Sequence, residues 1–195
     1  MHPGEILGTV AVLFVLVTAA GIWLSIYNSL VALKNSLARA WANIDVLLKQ
    51  RHDEIPKLVE VCKQYRQFEQ ETLERVIRAR NMVQTARENR DIGALGSAEA
   101  GLRASLGNLF AVAEAYPELK TNENFMQLQN RITQLENGIA DRRELYNEAV
   151  NINNVRIEQF PDVIIAGMFN FPPAKLLEFD AAEKSDVDVK ALFNV

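Results

Sequence analysis

From Ile6 to Leu33 the chain carries no charged side chain, an uninterrupted run of 28 residues in a sequence of 195. Its apolar centre, ILGTVAVLFVLVTAAGIWLSIY, is 22 residues long. As a helix that stretch measures ~33 Å, enough to cross the ~30 Å of hydrocarbon in a bilayer. Trp23 and Tyr27 stand at its far end, where amphipathic rings settle at the membrane interface. The run predicts a transmembrane helix with Ile6, Val10, Phe14, Val17, Gly21, Trp23 and Tyr27 among its membrane-spanning positions. A cleaved signal peptide would want Lys or Arg ahead of the apolar run, and MHPGE has neither, although Val17-Thr18-Ala19 before Ala20 imitates a cleavage site. A lipoprotein would need a cysteine just after the run, where there is none. Gly4 and Gly8 have the GxxxG spacing of helix dimers, at the edge of the span. No Lys or Arg precedes the span, whereas Lys34, Arg39, Lys49 and Arg51 follow it. The expected topology is N-terminus outside and C-terminal domain in the cytoplasm.

Downstream, apolar residues recur at helical spacing. No proline or glycine falls between Ile22 and Ile55, and Leu30, Leu33, Leu37, Trp41, Ile44 and Leu48 step by three and four. The membrane helix is therefore expected to run on beyond the bilayer. RHDEIPKL reads as the next break, with Asp53 or a neighbour as cap and Pro56 in the first turn of a second helix reaching about Thr85. RENRDIGALGSAEAG, with three glycines, reads as a loop or a frayed turn, and a third helix follows at about Ala98 to Ala115. The fourth is the clearest: Phe125, Leu128, Ile132, Leu135, Ile139, Arg142, Tyr146, Ala149 and Asn153 form a heptad seam that Pro161 ends. Between the last two, EAYPELKTNENF reads as a joint. Pro117 stops one helix, Thr121 or Asn122 caps the next, and Phe125 opens the seam.

The fold class is thus all-α, an N-terminal transmembrane helix continuing into an antiparallel four-helix bundle. Residues 1–28 form the tail and span, 29–161 a cytoplasmic bundle, and 162–195 an apolar segment followed by an acidic stretch. Two readings of Val163–Phe171 stay open: it folds back on the bundle, or it touches the membrane surface, a second copy or a partner. Gly4, Gly8, Ile164, Met168, Phe169 and Phe171 are the candidate self-association residues.

The inventory for chemistry is thin. A di-iron helical bundle needs Glu-x-x-His pairs, and neither His2 nor His52 completes one. The single cysteine, Cys62, sits on an apolar stripe as a small hydrophobe and can form no intramolecular disulfide. No phosphate-binding or nucleophile-elbow motif occurs. A net charge of -4 disfavours nucleic acid, and the arginines from Arg66 to Arg90 interleave with acids as on a solvated helix face. No catalytic, cofactor or metal residue is expected. The bilayer, a further copy of the chain and an unidentified protein are the candidate partners.

Four stretches together carry a resemblance: YNSLVALKN after the span, RAWANIDVLLKQRHDEIPKLVEVCKQY, EAYPELKTNENFMQLQNRI and YNEAVNINNVRIEQFP. In this order they resemble the bacterial LemA family over most of residues 27–161. Cys62 and the tail beyond Pro161 depart from the pattern. The resemblance implies a single span in the inner membrane and a cytoplasmic bundle of long helices, with no established catalytic activity. One branch includes a magnetosome-associated protein linked to membrane organisation. By that analogy the role is a scaffold that self-associates and organises or remodels the inner membrane, with an adaptor holding a membrane protease or signalling component as the alternative.

Overall fold

The computed structural model describes residues 3–65 and 68–178. Every regular element among them is an α-helix: α1 Pro3–Lys63, α2 Gln70–Glu88, α3 Ile92–Ala113, α4 Pro117–Lys120, α5 Glu123–Glu158 and α6 Asp162–Met168. The chain is all-α, as its periodicity predicts. It divides into two compact units. One holds Met1–Ala40 and Glu148–Ala174, the other Trp41–Asn147 and the segment from Lys175. The acidic stretch expected at the C-terminus lies outside the described residues beyond Glu178.

In the second unit the cross-contacts set the directions of the helices. Arg87 of α2 binds Asp45 of α1, and Arg80 binds His52, so α1 and α2 run antiparallel. The rings of Trp41 and Tyr146 meet at 5.8 Å while Leu47 abuts Gly138, so α1 and α5 are antiparallel as well. The shared core is aliphatic: Ile44, Leu48, Ile55 and Leu58 from α1, Val76 from α2, Leu95, Leu102 and Leu109 from α3, and Ile132 and Ile139 from α5. This is the expected bundle.

Two expected boundaries are corrected. α1 does not stop at Asp53–Pro56 but runs through Pro56 to Lys63. A proline inside a helix withholds the N–H that would bond the carbonyl four residues earlier, here that of His52. That carbonyl accepts instead from Arg80 Nε on α2 at 2.9 Å, and Arg80 Nη2 lies 2.6 Å from His52 Nε2. The real break follows α1, where Phe68 turns into the core and its ring meets that of Tyr116 at 5.3 Å.

The second correction is the glycine-rich stretch: the expected turn is confined to residues 89–91, and the part that holds the glycines is helix. α3 starts at Ile92, capped by the Asp91 carboxylate accepting from the Ala94 N–H at 3.1 Å. Gly96 is there for space: a Cβ on it would sit 1.9 Å from the carbonyl oxygen of Glu178.

The seam on α5 is confirmed at Phe125, Ile132, Leu135, Ile139, Tyr146 and Asn153. It is corrected at Arg142, which is exposed while Arg143 is half-buried. A 3.6-residue turn drifts against a strict seven-residue repeat, so the buried stripe takes a four-residue step at this point and continues through Val150 and Ile157. At the joint before α5, Pro117 opens α4, and Asn122 Oδ1 accepts from the Phe125 N–H at 3.0 Å. Asn122 Nδ2 also donates to the Tyr65 hydroxyl at 3.2 Å, and that hydroxyl lies 3.4 Å from the Glu118 carbonyl oxygen.

Candidate functional site

The first unit presents the surface most open to function. Along α1, Leu7, Val10, Phe14, Val17 and Leu24 are all exposed, and nothing beyond the surrounding turns of the helix itself lies within 4 Å of where a Cβ on Gly8 or Gly21 would be. From Leu7 onward α1 meets the length and hydropathy of a membrane-crossing helix, and only 6% of its apolar window is covered. Thr18, a polar residue within it, sets its hydroxyl 3.0 and 2.9 Å from the Phe14 and Val15 carbonyl oxygens, so it needs no outside partner. Gly4 and Ile6 lie in the first turns of α1, with their surroundings outside the described residues. Trp23 is partly exposed at the end of the stretch.

The protein begins to cover α1 at Ile26. Ile26 and Leu30 are buried with Ile157 of α5 and with Ile165 and Ala166 of α6. Tyr27 is half-buried, its ring centre 4.7 Å from that of Phe169 and 6.2 Å from that of Phe171. Asp162, at the start of α6, is buried and ion-paired with Arg156. Of the candidate self-association residues, Phe171 packs half-buried on this cluster, whereas Ile164, Met168 and Phe169 stand exposed, with Phe160 and Val163 beside them. One face of α6 folds back on α1 and α5, as the first reading of this segment expects, and the other face is exposed.

Beyond α6 the chain is extended and is held by side-chain amides. In the first unit Asn154 donates to the Ala174 carbonyl and accepts from the Ala174 N–H, both at 2.9 Å. In the second, Asn147 does the same to Leu177 at 3.1 and 2.8 Å, and the Tyr146 hydroxyl donates to the Lys175 carbonyl at 3.1 Å. All three side chains come from YNEAVNINN, a stretch legible only as a helix face.

The second unit also encloses ionic groups that the sequence reading passed over. Arg51, which is buried, donates from Nη2 to Glu99 Oε1 at 2.5 Å. Glu136 and Arg103 join them around a cavity of about 20 Å³, the size for one water molecule. Burial raises the Glu136 carboxyl above its ordinary range against the pull of Arg51 and Arg103. Arg51 interrupts the apolar stripe Ile44, Leu48, Ile55 and Leu58, which is the signal that marks it. Burial, then the Arg80 guanidinium, lowers the His52 imidazole. Burial pushes the Cys62 thiol up to about 12, as for a core residue. Among the described residues no group of three His, Cys, Asp or Glu side chains gathers as metal ligands.

This architecture defines a membrane-associated all-α protein with a helix long and apolar enough to cross a bilayer. The LemA family model matches residues 40–191, and the chain belongs to the LemA family. It is similar to Protein LemA of Metamycoplasma hominis, 25% identical over 192 residues, covering 94% of this chain and 84% of that one. It is also similar to Magnetosome protein MamQ 2 of Paramagnetospirillum magneticum, 31% identical over 106 residues, covering 53% of this chain. To Magnetosome protein MamQ of Magnetospirillum gryphiswaldense it is 31% identical over 68 residues, covering 35% of this chain and 25% of that one. The first magnetosome match spans only 39% of that protein's length.

Proposed function

We propose that the protein is a non-enzymatic, membrane-anchored helical scaffold that self-associates and organises or reshapes the bacterial inner membrane. Its N-terminus lies outside and its bundle in the cytoplasm. The observation that carries this reading is the uncovered apolar length of α1 up to Leu24, followed directly by protein-covered helix at Ile26. Surface of that extent is stable only in lipid or against other apolar surface. Kinship with proteins named for the magnetosome supports the organising role by analogy. Reconstitution of the full chain into phosphatidylethanolamine–phosphatidylglycerol vesicles, followed by imaging and cross-linking, tests it. Assemblies and altered curvature are expected; a monodisperse monomer on undisturbed vesicles refutes the scaffold. Protease added to intact cells should spare the bundle, and its digestion would reverse the topology.

One observation favours the adaptor as a second reading. A groove of about 800 Å³ in the second unit is floored by Val59, Phe68, Leu73 and Ile77 and rimmed by Lys63, Glu74 and Arg78. It has the apolar floor and polar edge of a site that takes a partner's side chains. Stoichiometric co-purification of a partner, lost in Arg78→Glu at the exposed rim, would favour it.

A further inference from the structure

The outer face of α6 is apolar, neutral and open. Val163, Ile164 and Met168 lie on it, with Phe160 just before the helix and Phe169 at its end, and Phe160 and Met168 are 81% and 66% exposed. The inner face, Ile165 and Ala166, is buried on α1. A helix apolar on both faces belongs in a core or in lipid, and here the chain itself covers only one of them.

Three features say what covers the other. First, the patch is continuous with the span. The exposed apolar surface of α1 reaches Leu24, and three residues on, ~4.5 Å along the helix axis, Tyr27 already packs against Phe169. Second, that offset puts Phe169, at the end of α6, within the ~5–10 Å in which interfacial helices bury their apolar face. Third, no Lys or Arg occurs between Arg156 and Lys175, and the one acid on α6, Asp162, is buried against Arg156. Neither attraction to anionic headgroups nor an exposed charge on α6 governs the contact.

We infer that the outer face of α6 sits in the bilayer interface beside α1, a second membrane contact made by the apolar side chains of Phe160, Val163, Ile164 and Met168. It rests on the membrane-anchored reading above. The occupant is phospholipid rather than a second copy of the chain. The contact gives the protein a wedge in a single leaflet next to its span, the geometry by which an anchored scaffold strains a bilayer.

The test uses an environment-sensitive fluorophore on single introduced cysteines in the full chain. Cys62 is buried and takes no label in the folded protein. Ile164→Cys and Met168→Cys report on the patch, Val15→Cys on the span and Glu71→Cys on water. All four positions are exposed, so the substitutions spare the core. The chain is reconstituted at one copy per phosphatidylcholine nanodisc, with nitroxide lipids carrying the quencher near the headgroup or near the chain end. Expected is loss of emission from the Ile164 and Met168 probes chiefly with the shallow quencher, and from Val15 chiefly with the deep one, while Glu71 stays unquenched. Added phosphatidylglycerol should change none of this. Patch probes as aqueous as Glu71, with Val15 still deep, overturn the inference and leave the anchor standing. An unquenched Val15 overturns both. Patch probes quenched only when phosphatidylglycerol is present also overturn it, since the contact would then be electrostatic. Patch probes shielded in discs holding several copies but aqueous at one copy per disc overturn it in favour of a protein–protein contact.

Discussion

Arg80 takes over the backbone role that Pro56 gives up, and a double substitution measures how completely. Arg80→Met keeps most of the side chain's stem but removes both contacts to His52, the 2.9 Å bond to its carbonyl and the 2.6 Å approach to its ring. A helix carbonyl left without a donor away from water costs about 1–3 kcal/mol. Arg80 is only partly buried and water can reach part of the gap, so ~1–2 kcal/mol is expected. Pro56→Ala restores the N–H at residue 56 and gives His52 its ordinary helical donor. In that background Arg80→Met should cost about 1 kcal/mol less. The assay is urea unfolding of the full chain in detergent, followed by far-UV circular dichroism, for all four members of the cycle. At a slope of about 2 kcal/mol per molar urea, the single substitution lowers the midpoint by ~0.5–1 M when Pro56 is present, and by clearly less in the Pro56→Ala background. Equal losses in both backgrounds would show that Arg80 contributes an ordinary surface contact and that α1 tolerates its proline for another reason.

Three further outcomes are expected. Gly96→Ala should expel the backbone at Glu178, because the new Cβ lands 1.9 Å from its carbonyl oxygen. Losing the burial of Leu177 costs about 1.5–3 kcal/mol, and trypsin should then cleave faster after Lys175, whose carbonyl is otherwise held by the Tyr146 hydroxyl. Glu136→Gln should stabilise the bundle at pH 7 and leave it unchanged at pH 4. A carboxyl raised in the folded state supports stability below its unfolded value of 4.5 and loses that contribution as pH rises through the folded value, so the gap between mutant and parent in urea midpoint should open with pH. Cys62, its thiol near 12, should react with Ellman's reagent at pH 8 only as fast as the bundle unfolds, and burst labelling of the native chain would contradict its burial.

Features carried by composition and period were legible in the sequence. The span follows from 28 uncharged residues, and the seam of α5 from its step of three and four. The Pro117–Asn122 joint follows from residues whose backbone preferences are strong. What was not legible depended on distant partners. Pro56 has the form of a helix start, and the donor that the His52 carbonyl lacks in mid-helix comes from Arg80, far along the chain. The glycines of α3 have the form of a loop, and only the backbone of Glu178 explains Gly96. At the candidate site, the apolar character of Ile164, Met168 and Phe169 was readable. The division of α6 into a covered and an open face was not, because Ile26 and Leu30 decide it.

The grip on the extended segment after α6 has a consequence for how this chain can vary. Asn154 and Asn147 bind the N–H and C=O of Ala174 and Leu177, and Tyr146 binds the carbonyl of Lys175, so these bonds read main chain and ignore side-chain identity. Such a path can be kept while its letters change, except at Leu177, whose side chain is buried. Substitution at Lys175 should be nearly free, whereas proline at 174 or 177 would remove a required N–H. Two prolines already stand just before the grip, at Pro172 and Pro173, and hold the approach extended. A segment held in this way takes its route from main-chain bonds, so the path it follows does not depend on the side chain carried at a position such as Lys175.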